Sequence, residues 1–415
     1  MAPRPAYRVR RPPAPPEPDP ALDGSMSFFS NRLRTDLSRN PLTCLLEERR
    51  GSGLDTLDLT ESNPTHVDLP YPHREIADAL ARSCPPFYEP HPRGLRSARE
   101  AISTWLGHRG LSPNPDQLLI TSGTSEAYSF LFKLLLNPGE SLLVPRPSYP
   151  LLDFIAALDG VRLRSYRLVH DRRWRVDLDS LEEALEDRTR AVVVIHPNNP
   201  TGSCLSDEEA AGLLNFCARN SLAVISDEVF LEYPLTETAS RVSSLEGTQE
   251  TLVFCLDGLS KSAGMPQVKL SWIRASGPAT LCEEALQRLD LISDTFLSVG
   301  TPVQAALPRL LEIGAGVRAA LQDRLASNLQ WLRHQMRSVP SCSLLEPEAG
   351  WNAVLRLPAV RSDEAWALEL LRKGVYVQPG YFYDFTEEAI LVVSLLPPEE
   401  LFRKGLSQVL AHAGE

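Results

Sequence analysis

The chain has 415 residues, of which 43% are hydrophobic and 23% charged, and its formal net charge is −11. This length allows two domains. The acidic charge argues against a nucleic-acid partner or an anionic membrane surface, and no apolar run reaches the roughly 18 residues of a membrane-spanning helix. The seven cysteines are scattered without paired metal-ligand spacing, which predicts reduced thiols, no metal site and a cytoplasmic protein.

The N-terminal residues differ in composition from the rest of the chain. Residues 1–25 are rich in proline and arginine and cannot bury enough apolar surface to fold. We therefore predict a disordered tail there. Met26 follows directly and is a second candidate for the start of translation.

Short apolar runs and helical patterns alternate as far as residue 300. The predicted strands cover residues 118–121, 141–144, 163–166, 191–196, 222–226, 251–256 and 268–273. The predicted helices cover residues 126–136, 149–158, 207–219 and 279–298. The run 191–196 is unbroken and β-branched, which is typical of a parallel strand buried on both faces. This alternation predicts an α/β fold with a largely parallel sheet covered by helices.

The pattern changes after residue 301, where a long helix is predicted over residues 303–339. Strands are predicted near residue 343 and at residues 351–357, 375–378 and 390–394, with helices at 362–373 and 398–412. This mixture predicts a second, smaller α+β domain.

Lys261 lies between two serines in a glycine-rich turn, with a predicted strand on either side. A lysine held near backbone and away from bulk water loses its proton readily and becomes a nucleophile. For an isolated motif of this kind, a solvated surface lysine is the simpler interpretation. The remaining motifs therefore decide between a nucleophilic lysine and a solvated surface lysine.

Three further turns carry polar groups at the ends of predicted strands. Residues 122–125 join a strand to a helix, where the helix dipole favours an anion. Asn199 follows the buried strand 191–196, and Asp227 follows the next one. Each turn alone also fits an ordinary loop or helix cap. Together with Lys261 they suit pyridoxal phosphate, a cationic aromatic cofactor that carries a phosphate.

The motifs at residues 198–202, 227–229 and 260–262 resemble, in order and spacing, the fold-type I pyridoxal-phosphate enzymes of the class I/II aminotransferase family. The resemblance covers residues 59–410. It implies the aminotransferase fold type I, in which a mostly parallel, seven-stranded-type sheet lies in a large domain and a smaller α+β domain follows. The implied units are an N-terminal segment that joins the small domain, a large cofactor-binding domain and a small C-terminal domain, at residues 26–65, 66–300 and 301–415.

The resemblance also implies roles for single residues. Lys261 carries the cofactor as a Schiff base and shuttles a proton, Asp227 pairs with the ring nitrogen, and Asn199 donates to the ring oxygen. Tyr149 stacks on the ring and counts among the catalytic residues with Lys261 and Asp227. Tyr88 reaches the phosphate of the neighbouring subunit, which implies a homodimer. The other implied cofactor-binding residues are Ser122, Gly123, Thr124, Ser260 and Lys269.

Four positions depart from the family pattern. Lys269 stands where an arginine is usual, and Gly258 where a phosphate-binding serine is frequent. Phe230 replaces a tyrosine that donates to the ring oxygen, so we expect a higher pKa for the Schiff base. Val392 stands where an arginine clamps the α-carboxylate of the substrate, which leaves the substrate anchor open.

Candidate substrate-binding residues come from several segments. Arg93 is a possible replacement for the missing arginine, with a solvated loop arginine as the equal alternative. Ser62 and Asn63 correspond to the substrate loop of the family, with Ser62 where glycine is usual. Trp351 and Asn352 are expected to shape the side-chain pocket, and Trp351 alone also fits the core of the small domain.

The favoured function is an aminotransferase that moves an amino group between an amino acid and a 2-oxo acid through Lys261. A pyridoxal-phosphate decarboxylase, lyase or side-chain-cleaving enzyme is the alternative, because carboxylate anchoring controls the reaction type. A cofactor-sensing regulator fused to a DNA-binding module is disfavoured by the acidic charge and the proline-rich N-terminus.

Overall fold

The computed structural model describes residues 30, 32, 38–83, 86–111, 113–236 and 241–414. The predicted tail at residues 1–25 and the alternative start at Met26 lie outside the described residues. Within the described ranges, no helix combines the length and the apolar character needed to cross a membrane.

Strands and helices alternate along the chain, as predicted. The strands are β1 (Leu57–Asp58), β2 (Leu118–Thr121), β3 (Ser141–Arg146), β4 (Arg162–Asp171), β5 (Arg173–Val176), β6 (Thr189–Ile195), β7 (Ala223–Asp227), β8 (Val253–Gly258), β9 (Ser271–Ser276), β10 (Ser343–Leu345), β11 (Asn352–Arg356), β12 (Val375–Tyr376), β13 (Gln378–Pro379) and β14 (Ile390–Ser394). The helices are α1 (Pro41–Gly51), α2 (His73–Arg82), α3 (Arg96–Leu106), α4 (Thr124–Leu135), α5 (Leu151–Asp159), α6 (Leu178–Ala184), α7 (Asp207–Arg219), α8 (Leu259–Ser262), α9 (Ala279–Phe296), α10 (Thr301–Met336), α11 (Asp363–Arg372) and α12 (Glu399–Gly414).

Eight strands form the large sheet, in the order β2-β9-β8-β7-β6-β3-β4-β5. The strands from β8 to β4 in this order run parallel, whereas β9 is antiparallel to both of its neighbours and β5 is antiparallel to β4. The sheet is therefore mostly parallel, as predicted, but has eight strands because the hairpin β4–β5 adds one. Arg172 has a left-handed backbone (φ 62°) between these two strands.

Alternating side chains of the central strands enter two apolar clusters, one on each face of the sheet. Val193 of β6 belongs to the cluster beneath α4, α5 and α9, whereas Val192 and Val194 belong to the cluster beneath α6 and α7. This twofold alternation follows from the pleat of the strand. All three valines are at most 2% exposed, which confirms the predicted burial of β6 on both faces.

A smaller antiparallel sheet has the order β10-β11-β14-β13, and β1 pairs with β12 in parallel. The pairing of Leu57 with Val375 ties the N-terminal segment to the C-terminal part of the chain. The long helix α10 packs against α2, α3 and α12. The division of the chain at residues 65 and 300 stays a prediction.

The start of one predicted strand differs from the structure, close to the cavity described below. The strand expected at residues 268–273 begins only at Ser271, because Pro266–Val268 form a 3-10 turn and Lys269 adopts a left-handed backbone (φ 55°). This late start determines which side chains of the segment face the neighbouring strands.

Candidate active site

A cavity of about 530 Å³ opens where three neighbouring parallel strands end. Ile195 ends β6, Asp227 ends β7 and Gly258 ends β8, and all three residues line the cavity. The carboxyl edge of a parallel sheet is where the loops of an open α/β fold converge. Most of the predicted site residues line this cavity: Ser62, Asn63, Gly123, Thr124, Tyr149, Asn199, Asp227, Ser260, Lys261, Lys269, Trp351 and Asn352.

Three predicted residues lie away from the cavity wall. The backbone N–H of Ser122 donates to the carboxylate of Glu126 (2.7 Å). Tyr88 is 69% exposed and borders a separate small hollow. Arg93 forms a two-pronged ion pair with Asp290, with both N–O distances at 2.6 Å. The structure therefore gives no support to a substrate contact by Arg93.

Lys261 lies in α8, directly after β8, and its ammonium is held beside two aromatic rings. The nitrogen lies 4.2 Å from the centroid of the Trp351 ring and 5.3 Å from that of Phe230. These rings meet edge to face, and Tyr233 packs against Trp351 in the same way. The Tyr233 hydroxyl also donates to the carbonyl of Lys261 (2.5 Å), so it fixes the backbone of the lysine.

Asp227 turns its carboxylate toward the cavity while protein encloses its other sides. Burial raises the pKa of Asp227 to about 6, although hydrogen bonds from Tyr128 and from the Val229 backbone act to lower it. The Tyr128 hydroxyl donates to Oδ2 (3.0 Å), and the Val229 N–H donates to Oδ1 (3.3 Å). Burial raises the pKa of Tyr128 well above its ordinary value, so the phenol remains a donor.

Glu228, the next residue, faces an internal ion pair instead of the cavity. Its carboxylate lies 2.5 Å from the guanidinium of Arg274, and both side chains are at most 1% exposed. Ser244 and the Leu245 backbone also donate to Glu228. Burial is the strongest single influence and acts to raise the pKa of Glu228, but Arg274 and the hydrogen bonds from Leu245 and Ser244 together lower it. Of this adjacent pair of carboxylates, Asp227 is therefore the one available to a ligand.

The N-terminus of α4 faces the cavity beside an ammonium group. Gly123 is the N-cap of this helix and leaves room for Lys269, because a β-carbon at Gly123 would lie 3.2 Å from Lys269 Nζ. Gly123, Thr124 and Lys269 all line the cavity. A helix dipole and a lysine that converge in this way form a site suited to a phosphate.

Asn199 lies opposite Asn352 of β11. The side-chain NH₂ of Asn352 donates to Asn199 Oδ1 (2.7 Å), which leaves the NH₂ of Asn199 as a donor toward the cavity. The turn that carries Asn199 packs closely on the loop before β11. Gly202 has φ 70°, and a β-carbon there would lie 2.4 Å from the Ala349 carbonyl, so this position requires glycine.

Asn63, which the sequence predicts to contact the substrate, lines the cavity and is held by local hydrogen bonds. Its Oδ1 accepts hydrogen bonds from the backbone (3.1 Å) and the hydroxyl (2.8 Å) of Thr65, and its own backbone N–H donates to Glu61 (2.7 Å).

Val392 is 1% exposed and packs in the apolar cluster between the sheets. The residue at the usual arginine position thus belongs to the core.

Two nearby residues were not predicted from the sequence. Tyr128 lies in the apolar helix predicted at residues 126–136, and Tyr233 follows the predicted strand end at Asp227 by six residues. In the sequence both fit ordinary core aromatics. The one feature of the sequence that points to Tyr128 is the position of its hydroxyl, one helical turn after the predicted anion-binding start of the helix.

The chain matches the family model described as "Aminotransferase class I and II" over residues 55–403. It is 25% identical over 328 residues to glutamate-pyruvate aminotransferase AlaA of Haemophilus influenzae. The matched region covers 77% of this chain and 81% of that protein. It is 30% identical over 223 residues to an S-alkyl-thiohydroximate lyase of Arabidopsis thaliana, covering 53% of this chain and 48% of that protein. The solved structure of alanine aminotransferase from Pyrococcus furiosus has a TM-score of 0.80 at 23% identity and covers 90% of this chain and 95% of that chain. This structural likeness confirms the predicted fold.

Proposed function

The chain belongs to the class I and II aminotransferase family, whose members depend on pyridoxal phosphate, and we propose that the cofactor binds in the cavity around Lys261. As an aminotransferase, the protein moves an amino group between an amino acid and a 2-oxo acid. The observation that carries the proposal is the convergence of Lys261, Asp227, Asn199 and the N-terminus of α4 on one cavity. When bound, the cofactor supplies an electron sink for the charge that develops at the substrate Cα.

Lys261 and Asp227 have distinct proposed tasks. The side-chain amine of Lys261 would hold the cofactor and, when free, would be the base that takes the proton from the substrate Cα. The rings of Trp351 and Phe230 restrict where that amine lies. The carboxylate of Asp227 balances the positive ring nitrogen, and Tyr128 fixes its orientation.

Neutral and positive groups complete the proposed cofactor site. Asn199 and Tyr149 both line the cavity, where the Asn199 NH₂ would donate to the ring oxygen and Tyr149 would stack on the ring. The phosphate is held at the start of α4 by Gly123 and Thr124, with the charge of Lys269 beside them. Ser260 lines the same cavity next to Lys261 and adds a hydroxyl.

We also propose that the protein acts as a homodimer. Exposed apolar side chains lie next to Tyr88 and next to Leu297 in the chain, and an exposed apolar patch is typical of a protein interface. Phe87 is 76% exposed, Phe296 53% and Leu297 39%. Tyr88 and Leu297 border the same small hollow, so this face presents them together. In a dimer formed through this face, Tyr88 would extend toward the cavity of the other copy.

A cytoplasmic location is proposed from the cysteines. Six of them lie within the described part of the chain, and each is a free thiol. Disulfides persist in oxidising compartments, so the free thiols of these six cysteines suit the cytoplasm.

The proposal is tested by absorbance spectroscopy of the protein with pyridoxal phosphate. We expect a visible band that is absent in Lys261→Ala and retained in the control Lys133→Ala, whose ammonium is paired with Asp159 at the surface. Alanine or glutamate should bleach the band and pyruvate should restore it; these are the first candidates because a relative is named a glutamate-pyruvate aminotransferase.

Two other outcomes would contradict parts of this proposal. A protein that develops no band with the cofactor would disprove the cofactor site. A band that no amino donor converts reversibly, together with release of ammonia, carbon dioxide or a thiol, would indicate a lyase or decarboxylase reaction. The second outcome would leave the cofactor site intact and change the reaction.

A further inference from the structure

Ser271, the first residue of β9, is 2% exposed and lines the cavity. In the sheet it lies between Thr121, which ends β2, and Gly258, which ends β8. The chain continues from these two residues into α4 and into the turn that carries Lys261. The pairing of β9 therefore places the Ser271 side chain between the anion-binding helix start and the lysine.

The Ser271 side chain is buried in the protein and opens onto the cavity. Within the described residues its hydroxyl forms no hydrogen bond. A buried hydroxyl that lacks a partner is unfavourable unless a ligand or water supplies one. The open side of this hydroxyl faces the space where the cofactor is proposed to bind.

Gly258 provides the room that the Ser271 side chain occupies. A β-carbon at Gly258 would lie 2.1 Å from Ser271 Oγ and 2.7 Å from Ser271 Cβ. Gly258 has an extended backbone (φ 177°), so the need for glycine comes from this close approach and not from backbone strain. The hydroxyl of Ser271 thus fills the volume that a side chain at residue 258 would need.

The same short segment also supplies a positive charge. Lys269 lies two residues before Ser271, and its ammonium approaches Gly123 at the N-terminus of α4. An ammonium, a helix dipole and the Ser271 hydroxyl form a donor set for a phosphate group. The predicted strand starts at residue 268, and it does not indicate that the Ser271 hydroxyl lies at the cavity.

We propose that the Ser271 hydroxyl donates a hydrogen bond to the phosphate group of bound pyridoxal phosphate, in place of a side chain at residue 258. This inference rests on the proposed function, since it assigns a further residue to the same cofactor site. It adds Ser271, the first residue of β9, to the residues proposed to hold the phosphate.

The test compares the dissociation constants of pyridoxal phosphate and of pyridoxal, which lacks the phosphate, for the wild-type protein and Ser271→Ala. We expect pyridoxal phosphate to bind about ten- to a hundredfold more weakly to the variant, because one hydrogen bond to a charged group is lost. The dissociation constant of pyridoxal should stay the same. Both constants are measured by quenching of tryptophan fluorescence in the apo-protein.

Ser276→Ala is the matched control, since Ser276 is the last residue of the same strand and is also buried (8% exposed). Its hydroxyl accepts from the Gly247 N–H (3.3 Å) and lies outside the cavity wall. Neither dissociation constant should change in this control. Circular dichroism of the apo-proteins checks that both variants are folded.

The outcomes separate this inference from the function on which it rests. If wild-type protein binds pyridoxal phosphate and Ser271→Ala binds it equally well, the phosphate contact is disproved while the cofactor site stands. An equal loss of affinity for pyridoxal phosphate and pyridoxal would also overturn the contact, since the effect would not depend on the phosphate. If wild-type protein binds neither compound, the proposed function fails as well.

Discussion

The hydroxyl of Tyr128 donates a hydrogen bond to Asp227 Oδ2 at 3.0 Å, from α4 across to the end of β7. Tyr128 is 4% exposed, so the bond forms in a region from which water is largely excluded. A hydrogen bond of this kind stabilises the ionised carboxylate and opposes the effect of burial. Tyr128 therefore keeps the proposed counter-ion of the ring nitrogen closer to its charged form.

The first prediction concerns the pH dependence of cofactor binding in Tyr128→Phe. Asp227 has a pKa raised by burial to about 6, so its carboxylate becomes protonated as the pH falls through that value and cofactor affinity should fall with it. Without the Tyr128 hydroxyl the pKa should rise further. The decline in affinity should then begin about one pH unit higher than in the wild-type protein. The measurement is the dissociation constant of pyridoxal phosphate as a function of pH.

Tyr166→Phe is the control for this experiment. Tyr166 is also buried, but its hydroxyl donates to the Val193 carbonyl (2.9 Å) and not to a cavity residue. The pH profile of this variant should match that of the wild-type protein. The titration of the cofactor phosphate is common to all three proteins and cancels in the comparison. A profile of Tyr128→Phe that coincides with the wild-type profile would refute the role assigned to Tyr128.

The second prediction is that Asp227→Asn stabilises the apo-protein while it abolishes transamination. Burial raises the pKa of Asp227 from its ordinary value of 3.8 to about 6. The folded protein then binds the proton more tightly than the unfolded chain does, so this contribution to stability is present below about pH 4 and is lost as the pH rises through about 6. At about pH 8 the neutral amide should raise the free energy of unfolding by up to about 3 kcal/mol.

Urea unfolding of the two apo-proteins at about pH 4 and about pH 8 measures this effect. The difference in the free energy of unfolding should be large at the higher pH and small at the lower one. An Asp227→Asn variant that is less stable than the wild-type protein at about pH 8 would contradict the prediction. The same variant should show no half-reaction with an amino donor, because an amide cannot balance the ring charge.

The strand-end residues of the site were the part most accessible from sequence. Asn199 and Asp227 follow continuous apolar runs, and the ends of neighbouring parallel strands must meet at one edge of the sheet. Lys261 lies in a turn after the next strand, so its position follows from the same rule. Their joint position on the cavity wall needs no information beyond the order of strands and helices.

Tyr128 and Ser271 were not predicted, for two different physical reasons. Tyr128 lies on an apolar helix face, where a buried aromatic residue is expected from packing alone, and its hydrogen bond to Asp227 depends on how α4 crosses β7. Ser271 depends on where β9 begins, and the left-handed backbone of Lys269 shifts that point by three residues from the predicted one. The short strand β5 was missed because two of its four residues are arginines, so it forms no continuous apolar run.

The third prediction concerns Phe230, which stands where the family has a donor to the ring oxygen. Phe230 lines the cavity and lies beside the ammonium of Lys261. Phe230→Tyr should add a hydrogen bond that stabilises the deprotonated cofactor linkage. The pKa of the visible absorption band should therefore fall by about one unit in an absorbance titration of the loaded enzyme. Phe230→Leu adds no donor and serves as the control, with an unchanged pKa; an unchanged or higher pKa in Phe230→Tyr would contradict the prediction.

The fourth prediction tests the spatial exchange between Gly258 and Ser271. Gly258→Ser alone should lower the free energy of unfolding by about 1–3 kcal/mol, because the new β-carbon overlaps the Ser271 side chain. In Gly258→Ser/Ser271→Gly the overlaps with Oγ and Cβ of residue 271 disappear, and only the approach to its backbone, at 2.9 Å, remains. The double variant should therefore be less destabilised than the sum of the two single variants, with a coupling energy of at least about 1 kcal/mol.

Urea unfolding of the four apo-proteins gives the coupling energy directly. Cofactor binding adds an independent measurement, since the double variant carries a hydroxyl at residue 258 that Ser271→Gly lacks. The double variant should therefore bind pyridoxal phosphate more tightly than Ser271→Gly alone. Additive losses of stability would show that the two side chains do not compete for one volume, because residues that do compete cannot contribute independently to the free energy of unfolding.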